Sequence, residues 1–136
     1  MILLYYYTMS KISDERIAKL PEPIRKHVYP EDPYWCYVPD GWRDLVCRMN
    51  EHLEVLEPDY ILHQAKEKFG GLRYYTHTPD RTNNEHDLFW IIVSYYESLS
   101  FRVCDVCGEY GTKWIKGGFV RTRCEEHYDG ADPCDE

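Results

Sequence analysis

Apolar residues recur along this chain at two different periods, and the changes of period mark its elements. From Asp40 onward, Trp42, Leu45, Val46, Met49, Leu53 and Leu56 fall on one side of a 3.6-residue repeat, and Pro58 closes the run. This predicts a helix capped by Asp40. A shorter helix is predicted over residues 10–20, with Ser13 as its cap, Ile17 and Leu20 facing inward, and Pro21 and Pro23 as its stop. Between these helices, residues 29–35 contain Pro30 and Pro33 and read as a loop. From residue 60 to 78 the repeat falls to two, as in a strand, and Gly70-Gly71 interrupts it. A hairpin is predicted, with the two glycines as a tight two-residue turn. That turn sets Phe69 opposite Leu72, Lys68 opposite Arg73 and Lys66 opposite Tyr75. Ile61, Ala65, Phe69, Leu72 and Tyr74 then share the inner face. Gln64, Lys66, Lys68, Arg73, Tyr75 and His77 share the outer one.

A second long helix pattern runs over residues 84–101. Asn84 is its predicted cap, and Glu85 and Asp87 stand in the first turn, where the helix dipole favours acids. Leu88, Ile91, Ile92, Tyr95 and Leu99 form one stripe, which Phe89, Trp90, Val93 and Tyr96 widen. A helix apolar on nearly every side is either deeply buried or shared with a partner, a second copy of the chain included. Farther on, residues 114–116 and 119–123 flank Gly117-Gly118 and predict a second, smaller hairpin.

That small hairpin lies between two pairs of soft metal donors. Cys104-Asp-Val-Cys107-Gly108 and Cys124-Glu-Glu-His127 each separate their donors by two residues, and sixteen residues join the pairs. Four such side chains are what a tetrahedral zinc ion takes. A full set of protein donors leaves no position for water or substrate, so the zinc is expected to be structural. The expected fold is α+β: one small domain of helices packed on a hairpin over residues 1–102, a zinc-ribbon-like module over 103–128, and an acidic tail over 129–136.

Composition narrows the class. With 136 residues the chain has the length of one domain. Three of its 6 Cys join the metal set, leaving Cys36, Cys47 and Cys134, and an odd remainder argues against a disulfide framework. The opening residues 1–7 are apolar but too short to span a bilayer, and no signal peptide is evident, so no membrane partner is expected. These residues read either as an edge strand or as an extension upstream of a start at Met9. A net charge of -8 excludes a generic nucleic-acid binder. The charge is uneven, however, for Lys113, Lys116, Arg121 and Arg123 occur in a stretch without acids. With 13 Tyr, the chain has rings to share between core and an interaction surface.

Three stretches also carry a resemblance. They are Asp40-Gly41-Trp42, the run Lys-Glu-Lys-Phe-Gly-Gly-Leu-Arg-Tyr-Tyr over residues 66–75, and Cys104-Asp-Val-Cys-Gly with Arg-Thr-Arg-Cys-Glu-Glu-His over 121–127. In content and order they resemble a family of small uncharacterised bacteriophage and prophage proteins, across residues 34–127. Family members tend to carry more Cys and Gly just before the Gly-Trp pair, where this chain keeps only Cys36, so no second role for Cys36 is implied. The resemblance implies a phage origin and action in the bacterial host cytoplasm, with no established activity.

Two functions follow as expectations. The leading one is a non-enzymatic accessory protein that binds a host protein, to counter a host process such as antiviral defence. No Ser-His-Asp order, phosphate loop or metalloprotease helix occurs, and Cys47 sits in a helix pattern as a small hydrophobe. The alternative is a nucleic-acid or nucleotide-binding module. It would use Lys66, Lys68, Arg73 and Tyr75 of the first hairpin and Lys113, Lys116, Arg121 and Arg123 of the second. Each hairpin also has a plainer reading: internal ion pairs in the first, a solvated face anchored by zinc in the second.

Overall fold

The computed structural model describes residues 14–29, 36–79 and 87–134. The expectations for residues 1–9, the Ser13 cap, the prolines of the 29–35 loop, the Asn84 cap, Glu85 and the last two tail residues lie outside the described residues. Helix α1 is described over residues 14–18, and a 3-10 turn, Glu22–His27, follows Pro21. Helix α2 spans Arg43–Leu56 and buries Leu45, Val46, Met49 and Leu53 as its period requires. Asp40 does not cap it. Asp40–Trp42 form a 3-10 turn leading into the helix, and no side chain caps either element. The Gly41 N–H is engaged instead by the carbonyl of Asp105, 2.9 Å away in the C-terminal module.

The predicted hairpin is present as β1 (Ile61–Lys68) and β2 (Gly71–His77), but its turn sits one residue earlier than expected. Phe69 (φ 54) and Gly70 (φ 86) occupy the turn, the positive-φ pair that a two-residue hairpin loop requires. Gly71 is already in β2. The register becomes Lys66 opposite Arg73, Glu67 opposite Leu72 and Lys68 opposite Gly71. Lys68 therefore does not face Arg73, and Phe69 is exposed at the tip rather than packed inward. A bulge between Leu62 and Gln64 shifts the alternation, so Leu62 is buried in place of Ile61, with Ala65, Leu72 and Tyr74 beyond it. Gln64, Lys66, Lys68, Arg73, Tyr75 and His77 are left exposed or half-exposed.

Both edges of this hairpin are covered. Val28 and Cys36 bridge to β1 in parallel, with the Tyr29 N–H on Leu62 O (2.9 Å) and the Tyr37 N–H on Ala65 O (2.8 Å). Along β2, the N–H of Leu72 donates to Ser100 Oγ (2.7 Å) and that of Tyr74 to Glu97 Oε2 (2.9 Å). Both acceptors belong to α3 (Leu88–Ser100), so a helix satisfies donors that an exposed edge would offer to another chain. The α3 cap is Asp87, whose carboxylate accepts from the Phe89 N–H at 2.9 Å. Phe89, Val93 and Ser100 are buried and Ile92, Tyr96 and Leu99 partly so, whereas Leu88, Ile91 and Tyr95 of the predicted stripe face solvent.

The core lies between α2, α3 and the hairpin, with Trp42, Tyr60, Tyr74 and Phe89 its largest fully buried side chains. A polar chain crosses it without an unmet group. The Tyr60 hydroxyl donates to Asn50 Oδ1 and receives the Tyr74 hydroxyl at 2.8 Å. Asn50 Nδ2 donates to Glu54 Oε1 at 3.1 Å. Buried His27 stacks on the Tyr60 ring, with Nδ1 2.8 Å from Tyr60 O and Nε2 2.7 Å from Glu54 Oε1. Burial pushes both phenols above the usual tyrosine range.

The C-terminal module is a three-stranded antiparallel sheet in the order β4-β3-β5. Strands β3 (Thr112–Lys116) and β4 (Phe119–Arg123) join through Gly117 (φ 56) and Gly118 (φ 82), the turn expected. Strand β5 (Asp132–Pro133) pairs with β3, so the segment expected to be an acidic tail is in part a strand. The architecture is α+β, as expected. Among the described residues no helix is long and apolar enough to cross a membrane.

Candidate metal centre

The backbone bends tightly around Cys104. Gly108 (φ 83) donates its N–H to Cys104 O (3.0 Å), and Cys104 N–H reaches Glu109 O (2.7 Å). After β4, the His127 N–H returns to Cys124 O (3.0 Å), a second tight turn. These turns bring Cys104, Cys107, Cys124 and His127 together, with all four donor atoms within 4.8 Å of one another. Cys107 Sγ lies 3.7 Å from Cys124 Sγ, and His127 Nδ1 lies 3.8 Å from Cys104 Sγ and 3.1 Å from Cys124 Sγ. A tetrahedral ion with sulfur bonds near 2.3 Å and nitrogen bonds near 2.0 Å separates its donors by about 3.5–3.8 Å. The four residues could hold a metal ion. Burial pushes the Cys104 thiol up, but N–H groups of Cys124, Cys107 and Val106 aimed at the sulfur outweigh it and hold the thiol at about 7. Cys107 goes the other way: the N–H of Glu109 lowers it, but burial and the neighbouring Cys104 and Cys124 thiols push it up to about 11, so of the two Cys104 gives up its proton first.

The module is fastened to the core through a seam of close contacts. Trp42 Nε1 donates to Val103 O at 2.8 Å, and Gly41 N to Asp105 O at 2.9 Å. Glu67 accepts from Gly70 N at 2.7 Å with one oxygen and from Arg121 at 3.2 Å with the other. The Thr122 hydroxyl donates to Gly70 O, and the Asp105 N–H to Thr122 O at 3.0 Å. Arg123 Nε meets the buried Asp105 carboxylate at 2.9 Å, and its other arm reaches His127 O. The Asp-Gly-Trp, Phe-Gly-Gly and Cys-x-x-Cys stretches, far apart in sequence, therefore meet in one place.

No family model, no curated protein and no solved structure matches this chain. What the site can do rests on its own geometry.

The eight candidate binding residues divide into two groups. Arg121 and Arg123 are taken up by Glu67 and Asp105 of the seam. Lys116 pairs with Asp129, at 2.6 Å to its carbonyl oxygen and 3.4 Å to its carboxylate. Lys113 lies over the Phe101 ring, 4.5 Å from its centre. The second hairpin thus does not present four free cations. Lys66, Lys68, Arg73 and Tyr75 lie along the outer side of the first hairpin. Sequence reasoning missed Gly41, Asp105, Glu67 and Thr122 as seam residues. The only signal for them was that their motifs carry Gly and polar residues beyond what turns and ligands need.

Proposed function

We propose that this chain is a non-catalytic phage or prophage accessory protein that acts in the bacterial cytoplasm, carries a structural zinc, and binds a host protein through the outer face of α3. One observation carries the reading. The solvent side of α3 presents Leu88, Ile91 and Tyr95, at 54%, 50% and 62% exposure, with Ser94 and Ser98 beside them on the helix and the exposed Asp44–Arg48 pair of α2 across a groove from Tyr95. Between Leu88 and Ser98 the helix itself places no charge on that side, in a chain whose residues are 29% charged. An uncharged, ring-bearing face of this kind is the composition of an interface centre. Three thiols and one imidazole within 4.8 Å of one another are the donor set of a structural zinc site, closed to substrate. The resemblance to phage proteins supplies the setting, and countering a host process such as antiviral defence is the purpose such binding would serve.

The test is affinity capture from bacterial lysate with the native chain and with Ile91→Asp/Tyr95→Asp, followed by reconstitution with each purified protein recovered. A purified partner that binds the native chain at least tenfold more tightly than the variant supports the reading. Equal binding to both, or self-association of the native chain as the sole effect lost in the variant, overturns it. Metal analysis of natively purified protein should return one zinc per chain.

A further inference from the structure

We propose that the outer face of the β1–β2 hairpin binds single-stranded nucleic acid, with Lys66, Lys68 and Arg73 on phosphates and Tyr75 stacked on a base. This site is separate from the α3 face and does not depend on it.

The first ground is charge without compensation. Three of the four cations of the second hairpin pair with acids, yet among the described residues Lys66, Lys68 and Arg73 make no ion pair, and Lys68 has only the exposed Phe69 ring, 5.7 Å from its Nζ. Glu67 is the sole acid in the two strands, and its carboxylate is held by Gly70 N and Arg121 at the seam. Glu97 senses the charge of Arg73 but is bonded to the Tyr74 N–H around the strand edge. Lys66 and Arg73 stand directly across the ladder from each other. Like charges so placed repel and weaken a hairpin. A bound polyanion would relieve that repulsion, so the pair makes physical sense on a ligand face.

The second ground is the order of groups along the face. Beyond the Lys66–Arg73 rung comes the Gln64–Tyr75 rung, and beyond it the exposed rings of His63 and His77, 6.3 Å apart. Successive side chains on one face of a strand are about 6.8 Å apart, a spacing that an extended nucleotide chain can follow. Cations at the turn end and rings at the open end match the two chemistries of a single strand, phosphates and π-faces. An acidic protein segment would engage the cations and leave the rings idle. A duplex would offer phosphates but no unstacked bases. The two strands hold three cations and one acid, so this face is locally positive in a chain of net charge -8, and at physiological salt fields fade over about 8 Å.

The experiment is fluorescence anisotropy of a labelled oligothymidylate of about 12 nucleotides titrated with the full, metal-loaded chain at several salt concentrations. Native protein should bind with a salt-dependent constant. Lys66→Ala/Arg73→Ala should weaken binding and lower the slope of log K against log salt by about 1.4, two lost phosphate contacts at about 0.7 each. Its melting temperature should be unchanged or higher, which separates loss of contact from loss of fold. Tyr75→Ala should weaken binding about tenfold and leave the slope alone, as a lost stacking contact does. Absence of binding by the native chain, equal affinity for duplex, equal competition by polyglutamate, or indifference to Tyr75→Ala would each overturn the proposal.

Discussion

A methyl group added at Gly41 would stand 2.0 Å from the carbonyl oxygen of Cys104 and 2.6 Å from the carbonyl carbon of Asp105. Both obstacles are backbone, so no side-chain rotation relieves them. Gly41→Ala is expected to destabilise the protein by about 3 kcal/mol or more and to loosen metal retention, read by thermal melt and metal content. Gly117 has nothing within 4 Å, so its requirement is conformational only. The same sequence letter thus records two different demands, and the one at Gly41 depends on residues more than sixty positions away. Glu54 provides the second test at this scale. The hydrogen bond from His27 is the largest of the causes that hold its carboxyl at about 2, against an ordinary 4.5. Because the folded value is depressed, its contribution to stability is complete above about 4.5 and is lost as pH falls through about 2. Urea midpoints of native protein and Glu54→Gln should therefore differ most near neutral pH and converge as pH drops from 4.5 toward 2. A gap that stays constant over that window would show that the carboxylate does not act through its charge.

At the scale of elements, the first hairpin shows what a local pattern can and cannot specify. Alternation located both strands and the outer row of charged residues, but the turn was misplaced by one residue. Adjacent glycines suggested a turn of two glycines, whereas Gly71 is needed because the Phe101 ring lies against it. A Cβ there would come within 2.2 Å of that ring. Phe101 follows α3 and is distant in sequence, so no hairpin rule could anticipate it. Two substitutions separate the roles. Gly71→Ala should destabilise by about 1–3 kcal/mol through overpacking. Phe69→Asn should stabilise by about 0.5–1 kcal/mol, because Asn tolerates the positive φ that Phe69 adopts and Phe69 is 66% exposed. Chemical denaturation of both variants checks the pair, and the opposite signs would restore the turn at Gly70-Gly71. The buried side of α3 is illegible in the sequence for a related reason. Apolar residues nearly surround it, so its sequence lacks the contrast that marks a buried face. The bonds from Ser100 and Glu97 to β2 fix its rotation, and those bonds are tertiary. The metal donors were legible because each pair is local, two residues apart and set by its own tight turn.

For the molecule as a whole, the seam ties metal binding to the stability of the core. If the C-terminal module were an independent appendage, removing its metal would unfold it and leave the hairpin and helices unaffected. The contacts argue otherwise. Trp42 is completely buried at the start of α2 and donates to Val103, one residue before the first ligand. Gly70 of the hairpin turn is held by Thr122, two residues before the third ligand. Loss of the metal should therefore free a core tryptophan and the hairpin turn together. Chelation is expected to lower the melting temperature of the whole domain in one transition, followed alike by tryptophan fluorescence and far-ultraviolet circular dichroism. Glu67→Gln adds the decisive comparison. It removes the ion pair to Arg121, a contact made entirely across the seam. With metal bound, the substitution should cost about 1 kcal/mol, the value of a charge-assisted hydrogen bond whose Arg121 end is 37% exposed to solvent. After chelation that cost should shrink toward zero, because the partner strand is no longer in place. A cost that persists unchanged without metal, or a core that melts at the same temperature with and without chelator, would mean that the module and core fold separately.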